Sequence, residues 1–102
     1  MYDLSGHTAL VTGAAGGGIG KAIARRLLTE GANVVVTDVH PRRTDETVTE
    51  FIEEFGADRV MGSLMDAGDR DQIDATLAVA RERFGIVDVL VNNAAVNALN
   101  PV

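Results

Sequence analysis

Short apolar runs alternate along the chain with stretches whose apolar residues recur every three or four positions. Thr8-Ala9-Leu10-Val11-Thr12 is the first run and Val34-Val35-Val36-Thr37 the second. Arg59 to Met65 is a third, interrupted by Gly62, and Val87 to Val91 a fourth. Short β-branched runs with glycine nearby predict buried strands. Between them, Ile19, Ile23 and Leu27 recur at helical spacing, with Ala24 and Leu28 on the adjoining row. Val48, Phe51, Ile52 and Phe55 form a second such set, and Ile73, Leu77, Ala80 and Phe84 a third. These predict three amphipathic helices. Gly31, Gly56 and Gly85 follow the last turns, as C-terminal caps do. Asp69, with Gln72 three residues on, suits a capping box opening the third helix. Pro41 reads as the start of a loop after the second strand.

The predicted order is β-α-β-α-β-α-β. Strands alternating with helices imply a parallel sheet covered on both faces. Right-handed crossovers put the first two helices on one face and the third on the other. The class is α/β, a doubly wound sheet in strand order 3-2-1-4. Residues 1–102 read as a single domain without internal repeat or linker.

Composition narrows the function. Hydrophobic residues make up 46% of the 102 and charged ones 24%, which suits one globular core. The net charge of −6 repels nucleic acid and anionic membranes, so neither is an expected partner. With no cysteine there is no disulfide framework, thiolate metal site or thiol nucleophile. That suits a reducing compartment, and a cytoplasmic location is expected. No run reaches the roughly 18 apolar residues of a membrane span. Met1 to Gly6 has no basic cluster, so no secretory signal is expected. Glu46, Glu50, Glu53 and Glu54 read as a solvated helix face, and no metal site is expected.

The candidate chemistry lies between the first strand and the first helix. Five glycines, Gly13, Gly16, Gly17, Gly18 and Gly20, fall within eight residues there. Glycine leaves no Cβ in the way of a ligand and permits positive φ. A helix start offers unpaired N–H groups and about +0.5 charge. A pyrophosphate fits such a turn. The P-loop pattern G-x-x-x-x-G-K-[ST], tried on Gly20-Lys21, needs glycine at Ala15 and Ser/Thr at Ala22, and fails at both. G-x-G-x-x-G fails in every register.

What does match is Thr12-Gly13 followed by Gly18-Ile19-Gly20. With Leu4-Ser5-Gly6 upstream, Lys21-Ala22-Ile23-Ala24 downstream, Phe84-Gly85, and Asp88-Val89-Leu90-Val91-Asn92-Asn93-Ala94, the chain resembles the short-chain dehydrogenase/reductase family over nearly its whole length. The family pattern T-G-x-x-x-G-x-G has three residues where this chain has four between Gly13 and Gly18. Which glycine faces the phosphates is therefore left open. The resemblance implies a Rossmann-type fold, cut after the fourth strand, and a nicotinamide dinucleotide as ligand.

Asp38 ends the second strand, 18 residues after Gly20. A carboxylate there accepts hydrogen bonds from ribose hydroxyls and repels a 2′-phosphate, which favours NAD over NADP. Arg42 and Arg43 nearby work in the other direction. For Asp66, after the third strand, the resemblance implies a contact with the adenine amino group; an ordinary turn role is the alternative. For Asn92 it implies a brace across the sheet, and for the turn through Ala94 a passage beside the ribose. Ala95 stands where the family has glycine. The expected cofactor-binding set is Gly13, Gly16, Gly17, Gly18, Ile19, Gly20, Asp38, Asp66, Asn92 and Ala94.

The family's proton relay uses a tyrosine, a lysine four positions later, a serine and an asparagine. This chain has one tyrosine, Tyr2, and one lysine, Lys21, which cannot form Y-x-x-x-K, and both serines, Ser5 and Ser63, precede the fourth strand. No catalytic residue is assigned, and the chain by itself is expected to be inactive. The expectation is the NAD(H)-binding N-terminal part of an enzyme moving hydride between nicotinamide and an alcohol or ketone. A stand-alone dinucleotide- or partner-binding module and an inactive fragment are the open alternatives. The apolar fourth strand, left at an edge, predicts self-association or marginal stability.

Overall fold

The computed structural model describes residues 3–15 and 18–93. In chain order the elements are β1 (Thr8–Val11), α1 (Ile19–Thr29), β2 (Asn33–Asp38), α2 (Pro41–Phe55), a 3₁₀ turn (Ala57–Arg59), β3 (Val60–Leu64), α3 (Arg70–Phe84) and β4 (Val89–Val91). The strands form one parallel sheet in the order β3-β2-β1-β4, as the alternation implies. Leu10 stands opposite Val35 on one side and Leu90 on the other.

Alternation along each strand sends successive side chains to opposite faces. Ala9, Val11, Val34, Val36 and Val60 pack with Ala24 and Leu28 of α1 and Phe51 of α2. Leu10, Val35, Met61 and Met65 pack with Ala80 of α3, supported by Ile73, Leu77 and Phe84. The first two helices therefore share one face and the third covers the other. Coverage of that second face runs out toward β4, where Leu90 is 66% exposed.

Some boundaries differ from the sequence reading. Pro41 does not open a loop; it is the first residue of α2, where its missing N–H costs no hydrogen bond. Arg59 lies in the 3₁₀ turn and β3 starts at Val60. In α1 the buried row is Gly20, Ala24 and Leu28, while Ile19 at the helix start is 72% exposed. Gly62 continues β3: a Cβ there would lie 2.5 Å from Val48 Cγ2, so glycine lets α2 settle close to the sheet.

Helix ends follow their sequence signals. Gly31, at φ +105°, ends α1 in a Schellman arrangement: its N–H donates to Leu28 O, and Ala32 N–H donates to Leu27 O, both at 3.0 Å. Asp69 caps α3, accepting from Asp71 N–H and Gln72 N–H. Gln72 departs from a full capping box, since its Oε1 accepts from Asp66 N–H at 2.8 Å. Lys21 and Arg25 of α1 hold Glu50 of α2 at 2.8 and 2.5 Å, and Arg25 also pairs with Glu54. The hydrogen bond from Lys21 is the foremost cause holding the Glu50 carboxyl below its usual range.

Candidate functional site

Because the four strands run parallel, their carboxyl ends share one edge of the sheet. Thr12 and Gly13 follow β1, Asp38 ends β2, Asp66 follows β3 and Asn92 follows β4. Strand order reverses between β1 and β4: α1, which follows β1, covers one face, and α3, which leads into β4, covers the other. Ligands of open α/β sheets bind outside the strand ends at such a switch point.

Gly13 turns the chain out of β1 at φ +61°, a conformation most side chains resist. Ala14 N–H then donates to Thr37 O at 3.0 Å. Ala15 N–H donates to Asp38 Oδ2 at 3.2 Å, so the Asp38 carboxylate is drawn against the glycine turn. Its other oxygen accepts from Val39 N–H at 2.7 Å and His40 N–H at 3.3 Å. Gly16, Gly17 and Ala94 lie outside the described residues.

Gly18 and Gly20 serve different needs. A Cβ on Gly20 would run into Gly13 O and lie 2.6 Å from Asn93 Nδ2. Only glycine lets the first turn of α1 rest against the β1 turn. Gly18 is the N-cap, at φ −111°, and a Cβ there would meet nothing within 4 Å. The protein's own packing does not call for glycine at that position. No side chain caps α1 and its first turn holds no acid, so its N-terminal charge is left uncompensated by side chains. Ile19 stands exposed beside it.

The β4 end closes onto the same turn. Thr12 Oγ1 donates toward Asn92 Oδ1 at 3.2 Å and accepts from Asn93 N–H at 2.8 Å. Asn92 thus ties the end of β4 to the end of β1. Asn93 Nδ2 donates to Gly13 O at 3.4 Å, which sequence reasoning missed. Its only signal was adjacency to Asn92. Asp66 Oδ1 accepts from Gly68 N–H at 2.8 Å, a local turn bond of the ordinary Asx kind. Its neighbour Met65 donates to Asp38 O at 3.0 Å, so Asp66 stands beside Asp38 at the sheet edge.

A glycine turn at the switch point of a doubly wound parallel sheet defines a Rossmann-type domain. The family model described as short chain dehydrogenase matches residues 7–102. The chain belongs to that family. It is 46% identical over 99 residues to a Mycobacterium tuberculosis protein named (5R,7aS)-5-hydroxy-7a-methyl-1-oxo-2,3,5,6,7,7a-hexahydro-1H-indene-carboxyl-CoA reductase, a match that takes in 97% of this chain and 37% of the reductase. A crystal structure of a short chain dehydrogenase from Mycobacterium smegmatis superposes at TM-score 0.84 with 41% identity, covering 94% of this chain and 41% of that one. A short chain dehydrogenase/reductase from Burkholderia phymatum, in complex with NAD, superposes at 0.76 with 33% identity, covering 88% and 31%. The chain thus spans about two fifths of the length of such relatives, or less.

Proposed function

We propose that the chain is the NAD(H)-holding part of an oxidoreductase acting on an alcohol or ketone. The observation that carries this reading is the Asp38 carboxylate 3.2 Å from Ala15 N–H, at the mouth of a glycine turn whose helix start has no side-chain cap. A dinucleotide answers both features. Its pyrophosphate meets the N–H groups at Gly18, Ile19 and Gly20, and its adenosine ribose meets Asp38. The family contributes the cofactor class, and the Burkholderia phymatum relative holds NAD. Asp66 stands beside Asp38 at the sheet edge for the adenine end, Asn92 holds β4 to Thr12, and Gly13 joins them; Gly16, Gly17 and Ala94, outside the described residues, belong to the proposed set.

The chemistry supplied by the bound group is hydride donation or acceptance at the nicotinamide. This chain's residues orient it and assign no proton to the substrate, since the 102 residues hold no Y-x-x-x-K. Binding without turnover is the expected behaviour. Fluorescence titration is the test: NADH binds more tightly than NADPH, and Asp38→Ala narrows the difference. The reverse preference removes Asp38 from the ribose.

Two lesser readings rest on single observations. Exposed Leu90 on a β4 that pairs, among the described residues, with β1 alone supports self-association through that strand. Sedimentation showing a monomer at all concentrations overturns it. No helix among the described residues is long and apolar enough to cross a membrane. With the absence of cysteine this supports a cytoplasmic site of action, which localisation by fluorescence microscopy tests.

A further inference from the structure

Among the described residues, β4 is the shortest strand of the sheet. It has three residues, and its middle side chain, Leu90, stands mostly in solvent. Side chains fasten both ends. At the exit, Asn92 and Asn93 are held on Thr12, and Asn93 reaches Gly13. At the entry, Asp88 N–H donates to Thr8 O at 3.1 Å, and Asp88 Oδ1 accepts from Thr8 N–H at 2.9 Å. The second carboxylate oxygen lies 2.5 Å from His7 Nδ1. We propose that the His7–Asp88 pair is a pH-sensitive latch that sets how firmly β4 sits on β1 and, through Asn93 at the other end of the strand, how firmly the glycine turn is held.

The charged groups around His7 favour this reading. Asp88 faces it from the entry to β4. Asp3, on the N-terminal segment, attracts it weakly while accepting Ser5 N–H at 2.9 Å. Glu30, at the end of α1 next to that segment, is taken by Arg26 at 2.9 Å. An imidazole is the side chain whose charge changes near neutral pH. Protonated, it makes a charge-assisted bond to a carboxylate; neutral, it makes an ordinary one. The hydrogen bond from His7, and then that from Thr8 N–H, hold the Asp88 carboxyl below its usual value. The negative member of the pair therefore persists on acidification past that value, and its contribution is lost only as pH falls through the lowered one.

An exposed pair of this kind changes an equilibrium by about two- to fivefold. That is small against global unfolding but visible in the local opening of a short strand. The test is amide hydrogen exchange of the 102-residue chain at about pH 5.5 and about pH 8, on either side of imidazole titration and corrected for intrinsic rates. Asp88 and Asn93 amides report the two ends, and the Gly56 amide, bonded to Ile52 O at the far end of α2, serves as reference. Protection at both ends falls about two- to fivefold on going to the higher pH, while Gly56 holds. His7→Gln shows the weaker protection at both values. His7→Lys, charged throughout, restores the stronger. Unchanged protection in the natural chain, or the same pH dependence in His7→Gln, overturns the latch. A change confined to Asp88 overturns its reach to the turn. No cofactor enters this measurement, so its outcome stands apart from the dinucleotide reading.

Discussion

The starts of α1 and α3 solve the same backbone problem in opposite ways. Each helix begins with N–H groups that have no partner within the helix. At α3, Asp69 Oδ1 accepts from Asp71 N–H at 3.0 Å and Gln72 N–H at 3.2 Å, and Asp71 adds negative charge in the first turn. That end is complete in itself. At α1, the N-cap is Gly18, with no side-chain cap, no acid in the first turn, and open space where a Cβ would be. Glycine at an N-cap gives up only a few tenths of a kcal/mol against a good capping residue, about 0.3 kcal/mol. The difference teaches where the proposed dinucleotide is to be sought: at the helix start without a side-chain cap, beside one that is capped by its own residues.

The sharpest way to break the comparison is Gly20→Ala. The new methyl meets Gly13 O and Asn93, both close and the first of them backbone. We expect a loss of about 2–3 kcal/mol, read as a melting midpoint lower by roughly 10–20 °C. A midpoint within a few degrees of the natural chain removes the close approach of α1 to the β1 turn. Next comes Gly18→Asp, which gives α1 what α3 has. Its extended backbone already suits a capping residue. The fold gains only about 0.3 kcal/mol, while NADH binding weakens about tenfold or more, because the carboxylate occupies the place proposed for the anion. Thermal melts and NADH titration, run together, check both signs. Unchanged binding breaks the assignment.

Asp69→Ala removes the cap from α3. It costs about 1 kcal/mol in a denaturant melt and leaves NADH affinity where it was, because the Asp69 carboxylate is taken up by the N–H groups of its own helix. The smallest effect belongs to Glu50→Gln, in the clasp between α1 and α2. The folded carboxyl is held below its usual value, chiefly by Lys21, so its contribution is present above that value and lost as pH falls through the lowered one. The difference in melting midpoint between the natural chain and Glu50→Gln should therefore shrink from about pH 6 to about pH 3. A constant difference would remove the charge from the clasp's contribution.

Much of this was legible along the chain because its causes are local. Strand runs, helix periods and the glycines after each helix are spacings within a few residues, and they led to the order β3-β2-β1-β4. Asp38 was legible too, since its distance from Gly20 follows from one helix and one strand. What escaped depends on residues far apart in sequence. Asn93 meets Gly13 across 80 positions, and His7 meets Asp88 across 81. The buried threonines escaped for another reason. Thr44 and Thr76 are buried although polar, because the first donates to His40 O at 2.8 Å and the second bonds Ser63 Oγ at 3.1 Å. A sequence does not show that a hydroxyl has its partner at hand.

Arg59 of the 3₁₀ turn donates to Leu28 O at 2.5 Å and Ala32 O at 2.7 Å, with its guanidinium over the Phe55 ring. This pins the far end of α1, while Gly20 seats the near end against Gly13. A helix of 11 residues is a rod roughly 16 Å long. Released at one end, a rod pivots about the other. Trimming Arg59 therefore swings the axis along which the helix aims its positive pole, from a residue at the opposite end of the rod.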